Sequence, residues 1–299
     1  ISKAISQAVN DNSKSSLSFS SVLILSSSLL FYVSPKKLIY LFFYALSSIG
    51  KPWRKALFLD LLLYEIYKKK NKLKKPNFST LFLNAGAHIQ HHYFFNSKLD
   101  FFKNYSNPKW YVKKSIDPFA EMLKIYDSLI NDIFAEEKGE IIIATGLSQE
   151  PCKDAKFYYR LKNHGKFLQE LNIDFHSISP RMSRDFLISF KDKSSCSLAE
   201  KKLKQIVDDQ NINLFAEIEN RDIELFVTLT YPCEINKETF FEFNEKKYFL
   251  KNYVSFVAIK NGDHNEKGYA YFSQGLSNIM PNENFHISKI HNVILDFFK

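Results

Sequence analysis

The fold turns on the stretch FSTLFLNAGAHIQHHYFFNS, residues 78–97. Its first part, residues 78–85, is a short apolar run of strand formers that follows Pro76 and Asn77, and it predicts a buried strand. The remainder turns polar and carries His88, His91 and His92. Open α/β sheets bind their ligands outside the carboxyl ends of strands, so three imidazoles directly after a strand mark a candidate site. Neutral imidazole is the commonest nitrogen ligand of zinc. If the backbone turns helically there, Asn84 and His88 share a face, and so do His88 and His92. One histidine in such a turn would more often satisfy a backbone group; the cluster is what points to ligation or catalysis.

Downstream, Asp117 is placed to cap a helix that opens with Pro118, with Glu121 in its first turn. A turn at residues 137–139 follows, and then EIIIATG, a second buried strand that begins at Glu140. Strand, helix and strand within about 70 residues predict an α/β fold, a mostly parallel sheet flanked by helices. Upstream, residues 1–75 read as a helical segment, with Leu57, Leu59, Leu61, Leu62, Leu63 and Ile66 at helical spacing. Residues 21–49 are strongly apolar, but Pro35, Lys36 and Lys37 divide them into pieces shorter than the ~20 residues of a bilayer span. A buried helical hairpin is the first reading, and membrane association through residues 21–49 the second.

After Ser148 the character changes. RDFLISF, a helix near residues 198–209, INLFAEIE and DIELFVTLTY form a βαββ group, followed by FFEFNEKKYFL as a hairpin around Asn244 and Glu245. The sequence thus divides into a helical segment 1–75, a core formed by 76–150 and 252–299, and an inserted α+β lobe 151–251. The strand VSFVAIK leads to GDHNEKGYAYFSQG, which presents Asp263 and His264, and a last helix covers about 287–298. A histidine after this second strand completes a pattern in which ligands converge from several strand ends.

The net charge of +9 fits nucleic acid, anionic lipid or a phosphorylated substrate. Much of it sits in the run Lys68, Lys69, Lys70, Lys72, Lys74 and Lys75, which reads as a solvated turn, and no recognition motif accompanies it, so no nucleic-acid partner is expected. Cys152, Cys196 and Cys233 make an odd set without C-x-x-C spacing, which predicts no disulfide framework and a cytoplasmic setting.

LFLNAGAHIQHHYF, DPFAEMLKIYDSLINDIF, EIIIATGLSQ, HNEKGYAYFSQG and ISKIHNVILDFF follow one another in the order of the motifs of the alkaline-phosphatase superfamily. Over residues 76–150 and 252–299 the chain resembles the type I phosphodiesterase/nucleotide pyrophosphatase and sulfatase branches. The resemblance implies a metal-dependent hydrolase of a phosphate or sulfate ester, on a small molecule, glycan or nucleotide, with one or two divalent ions, zinc or manganese. It implies His88 and His264 as metal ligands, with Asn84 where the family has a ligand aspartate. The nucleophile would lie upstream of Ile1. Thr145 and Gly146 stand where the family has an Asp-His metal pair. Substrate contacts are then expected from His91, His92, Thr145 and Gln149. Arg181 and Arg184 join them as planar forks for phosphate or sulfate, with ion pairs to Asp185 or Glu219 as their structural alternative. A catalytically degenerate ligand-binding protein is the other reading of the same residues.

Overall fold

Proline sets the starts of several helices. In a computed structural model that describes residues 18–99, 105–136, 138–181, 184–281 and 284–299, helix α1 (Phe19–Tyr32) is capped by Ser18, whose hydroxyl accepts from the Ser21 N–H at 3.2 Å. Helices α2 (Pro35–Ser47) and α3 (Pro52–Lys74) each open on a proline, where the missing N–H costs nothing and φ is already helical. The first seventeen residues of the expected helical segment lie outside the described residues. Helix α4 (Ala85–Tyr93) carries three of the histidines, and α5 (Pro118–Glu136) begins as expected, the Asp117 carboxylate accepting from the Ala120 N–H at 2.9 Å.

The rest of the chain follows as β1 (Ile142–Ala144), β2 (Ser148–Leu161), α6 (His164–Glu170), β3 (Ser177–Pro180), β4 (Asp185–Ser189), α7 (Lys193–Lys204), β5 (Glu217–Asn220) and β6 (Glu224–Thr228). Then come β7 (Phe240–Phe243), β8 (Lys246–Phe249), α8 (Leu250–Tyr253), β9 (Val254–Asn265), β10 (Ala270–Phe272) and α9 (Lys289–Phe297). The chain folds into two compact units, one built on Ala155–Lys260 together with residues 18–38, the other on Ile39–Asp154 and Asn261–Lys299.

In the first unit, β3, β4, β6 and β5 form an antiparallel sheet in that order. Phe186 pairs with Val227 and Ile188 with Leu225, and all four are fully buried, so one face of the sheet is the core. Cys196, Ala199 and Leu203 are buried along one side of α7. The β7–β8 hairpin turns on Asn244 and Glu245, at φ 50° and 61°, the left-handed pair that a two-residue hairpin needs.

In the second unit, α3, α4 and α5 close on a core of Trp53, Leu57, Ala85, Ile89, Tyr93, Val112 and Met122. The Glu121 carboxylate accepts from the Tyr44 hydroxyl and the Trp53 indole, both at 3.0 Å, and Arg54 Nε stands 2.8 Å from it. Strands β1 and β10 pair antiparallel, Ile143 opposite Tyr271.

Two expectations are corrected. The mostly parallel, helix-flanked sheet does not form: among the described residues the strands make small sheets of two to four, antiparallel, with no parallel sheet. The reason lies in the opening stretch. Residues 78–84 form no strand, and the Asn84 and Ala85 N–H groups are taken by the Asp60 side chain. Without that first strand there is no β-α-β crossover, and β1 finds its partner in β10 instead. Residues 21–49 hold two helices, as expected, but much of the stretch is not buried: Leu30, Phe31, Phe43 and Ile49 are 63–75% exposed. Among the described residues no helix is long and apolar enough to cross a membrane.

The sheet unit carries a pH dependence. His164, 9% exposed and edge-on to Phe186 at 4.8 Å, has its pKa pushed down to about 4 by burial and by the charge of Arg160. The unfolded chain takes up this proton near pH 6.5, whereas the folded chain resists it until about 4. Stability from this residue is therefore complete above 6.5 and is lost as pH falls towards 4. Urea unfolding should show His164→Phe removing about 2 kcal/mol of the acid-side loss, after allowance for solvent screening. Equal pH slopes for the two proteins would contradict the assignment.

Candidate functional site

The site is built on α4 and on the end of β9. The histidine helix has an unusual start. Asn84 is its N-cap, yet the Asn84 side chain makes no capping bond. The cap comes from α3: Asp60 Oδ1 accepts from the Asn84 N–H at 3.2 Å and Oδ2 from the Ala85 N–H at 2.8 Å. The Tyr126 hydroxyl on α5 donates to Asp60 Oδ2 at 2.6 Å and accepts from the Gly86 N–H at 2.8 Å. Three first-turn amides are thus satisfied by two side chains, and a carboxylate faces the positive end of the helix. Burial pushes the Asp60 carboxyl above its ordinary range; the three hydrogen bonds pull the other way. Burial and the Asp60 charge also raise the Tyr126 phenol. Gly86 favours this approach, because a Cβ there would stand 3.1 Å from the Tyr126 ring, which would have to give by a few tenths of an ångström.

The β9 side is held by amides. Asn261 is fully buried; its Oδ1 accepts from the Phe95 N–H at 3.2 Å and the Asn107 Nδ2 at 2.8 Å, while its Nδ2 donates to Asn107 Oδ1 at 3.0 Å. The next residue, Gly262, passes so near α4 that a Cβ would stand 2.7 Å from the Gln90 carbonyl oxygen and 2.9 Å from Gln149 Oε1.

These anchors bring His91 and His264 together. His91 Nδ1 lies 3.0 Å from the Gly262 carbonyl oxygen, and His91 Nε2 lies 3.0 Å from His264 Nε2. A carbonyl only accepts, so Nδ1 of His91 carries the hydrogen and neutral His91 turns its Nε2 lone pair on His264. Fixing one ring nitrogen on a carbonyl is how proteins orient an imidazole whose other nitrogen is to be used. His92 stands 6.0 Å from His91, ring centre to ring centre, and 4.9 Å from His88. Burial and the neighbouring His91 push the His88 pKa down to about 4, so His88 is neutral at physiological pH.

The other expected residues fall in different places. His264 lies against His91, and the nearest ring neighbour of His88 is His92. Asn84 is exposed. Gln149 donates to the Ala87 carbonyl at 3.2 Å, and its buried Oε1 has no hydrogen-bond partner among the described residues. Thr145 holds a turn: its N–H donates to the Tyr269 carbonyl at 2.8 Å and its hydroxyl accepts from the Tyr269 N–H at 2.9 Å. Arg181 and Arg184 belong to the other compact unit. Arg184 lies over the Tyr158 ring at 4.1 Å, Arg181 is exposed, and the Glu219 carboxylate is bonded by Arg221.

Asp60, Tyr126, Asn261 and Gly262 went unread in the sequence. Asp60 left a signal: it is the one charge within LFLDLLLY, on the stripe that has to face the core. Comparison with protein-family models, with curated proteins and with solved structures finds no match for this chain.

Long-range ¹H–¹⁵N NMR near neutral pH should find His91 in its Nδ1–H tautomer. A dominant Nε2–H tautomer would break the chain from Gly262 through His91 to His264.

Proposed function

We propose that the imidazoles of α4 and β9 form the working site of a metal-dependent hydrolase of phosphate or sulfate esters, with His91 and His264 as its centre. The observation that carries the reading is the 3.0 Å separation of their Nε2 atoms. Two nitrogen ligands about 2.0–2.1 Å from one ion stand roughly 2.8–3.4 Å apart for angles between octahedral and tetrahedral. The pair therefore fits as two ligands of one divalent ion, and the tautomer set by Gly262 suits His91 to that role. The fit stops at two: among the described residues no group of three or more His, Cys, Asp or Glu is gathered to hold a metal. Such an ion, when bound, would supply Lewis-acid polarisation of an ester oxygen.

The residues themselves do the rest. Gly262 and His91 hold the His264 ring in place. His88, kept neutral by burial, and His92 lie on the same helix as His91. Gln149 Oε1 is a buried acceptor without a hydrogen-bond partner among the described residues, beside Gly262.

The second reading, a ligand-binding protein without turnover, is favoured by Thr145. Where the resemblance calls for a second ligand pair, this side chain is committed to the Tyr269 turn.

Elemental analysis and zinc titration of the purified chain test the proposal together with hydrolysis of bis-p-nitrophenyl phosphate and p-nitrophenyl sulfate. The expected result is about one equivalent of ion, with affinity lowered about tenfold or more in His91→Ala and in His264→Ala and largely kept in His88→Ala. Uptake with ester hydrolysis supports the hydrolase; uptake without it supports the binding protein. A chain that stays metal-free after dialysis against zinc overturns the metal reading.

A further inference from the structure

Helix α2 packs with its less apolar side inward. Leu41 and Ser48 are buried, and Tyr44 and Ala45 are partly covered. The opposite face carries Ile39, Phe42, Phe43 and Leu46, at i, i+3, i+4 and i+7, continued by Ile49 just beyond the helix. These five are 48–75% exposed. Scattered exposed apolar side chains are ordinary, but an unbroken apolar stripe along one helix face marks a surface that something covers.

The charges around the stripe identify what covers it. Between Ser18 and Leu59 the charged residues are Lys36, Lys37, Lys51, Arg54 and Lys55, with no Asp or Glu. Lys36 and Lys37 at the start of the helix and Lys55 after it are exposed, and Arg54 is engaged with Glu121, whose carboxylate also accepts from Tyr44. A helix with an apolar face of large side chains, cationic ends and no acids lies in the plane of a membrane interface, its apolar face among the acyl chains and its lysines among anionic headgroups. At about 1.5 Å per residue, α2 is about 20 Å long, too short to span the ~30 Å hydrocarbon layer but long enough to lie along it.

We propose that the outward face of α2 docks the protein peripherally on an anionic lipid surface. The inference is independent of the imidazole site. The full chain would be floated with phosphatidylcholine vesicles, with and without phosphatidylserine. It is expected to float with the phosphatidylserine vesicles, to be released by high salt, and to bind about tenfold or more weakly as Phe42→Ser/Phe43→Ser and as Lys36→Glu/Lys37→Glu. The substituted side chains are all exposed, so circular dichroism should show an unchanged fold. No flotation of the folded chain with anionic vesicles overturns the proposal. So does light scattering that shows a dimer converted to monomer by Phe42→Ser/Phe43→Ser, because a second copy would then be what covers the stripe.

Discussion

Everything around the imidazoles depends on one buried carboxylate. Asp60 caps a helix it does not belong to, and Tyr126 extends that cap by one more amide. The arrangement is costly to disturb, because removing Asp60 leaves the buried Ala85 N–H without an acceptor, at about 1–3 kcal/mol, and frees the partly buried Asn84 N–H and Tyr126 hydroxyl as well. It also fixes how α4 sits on α3 and α5, and so where His88, His91 and His92 are carried. The cap explains as well why the apolar stretch before the helix pairs with no strand: the chain is captured by α3 where a sheet would have to continue. Fold and site are therefore set by the same bonds.

The second half of the site has a different physical basis. Where β9 reaches α4 there is a set of side-chain amides, Asn96, Asn107 and Asn261, each using both its donor and acceptor character. Such a network is sensitive to geometry, since a carboxamide displaced by an ångström leaves buried polar atoms unpaired. Its effect is to place the Gly262 carbonyl on His91 Nδ1. The absence of a Cβ at Gly262 is what lets the two backbones approach.

The elements with local causes were legible. The Asp117–Pro118 start of α5, the hairpin turn at Asn244 and Glu245 and strands β4, β5 and β6 follow from capping, turn chemistry and alternation, all contained within a few residues, whereas β3 went unread. The histidine cluster was legible as a cluster. Its internal pairing was not, because the resemblance joins His88 to His264, whereas the Gly262 carbonyl selects His91. The direction of the sheet was also illegible. An apolar run after Pro76 has the same composition whether a neighbouring strand accepts it or a distant Asp60 takes its amides, and strand–helix–strand order does not distinguish a crossover from an antiparallel return. The apolar hairpin was misjudged for a related reason: periodicity identifies an apolar face but not whether that face turns inward.

Amide hydrogen exchange at Ala85 and Gly86, followed by NMR in the unaltered chain, tests the central claim most directly. First-turn helix amides have no partner within their own helix and ordinarily exchange fast. If Asp60 and Tyr126 hold them, both should be protected as strongly as Ile89, which lies fully buried one turn further on. Fast exchange at Ala85 and Gly86 beside a protected Ile89 would contradict it: the cap would not persist in solution, and the imidazole cluster would owe its position to something else.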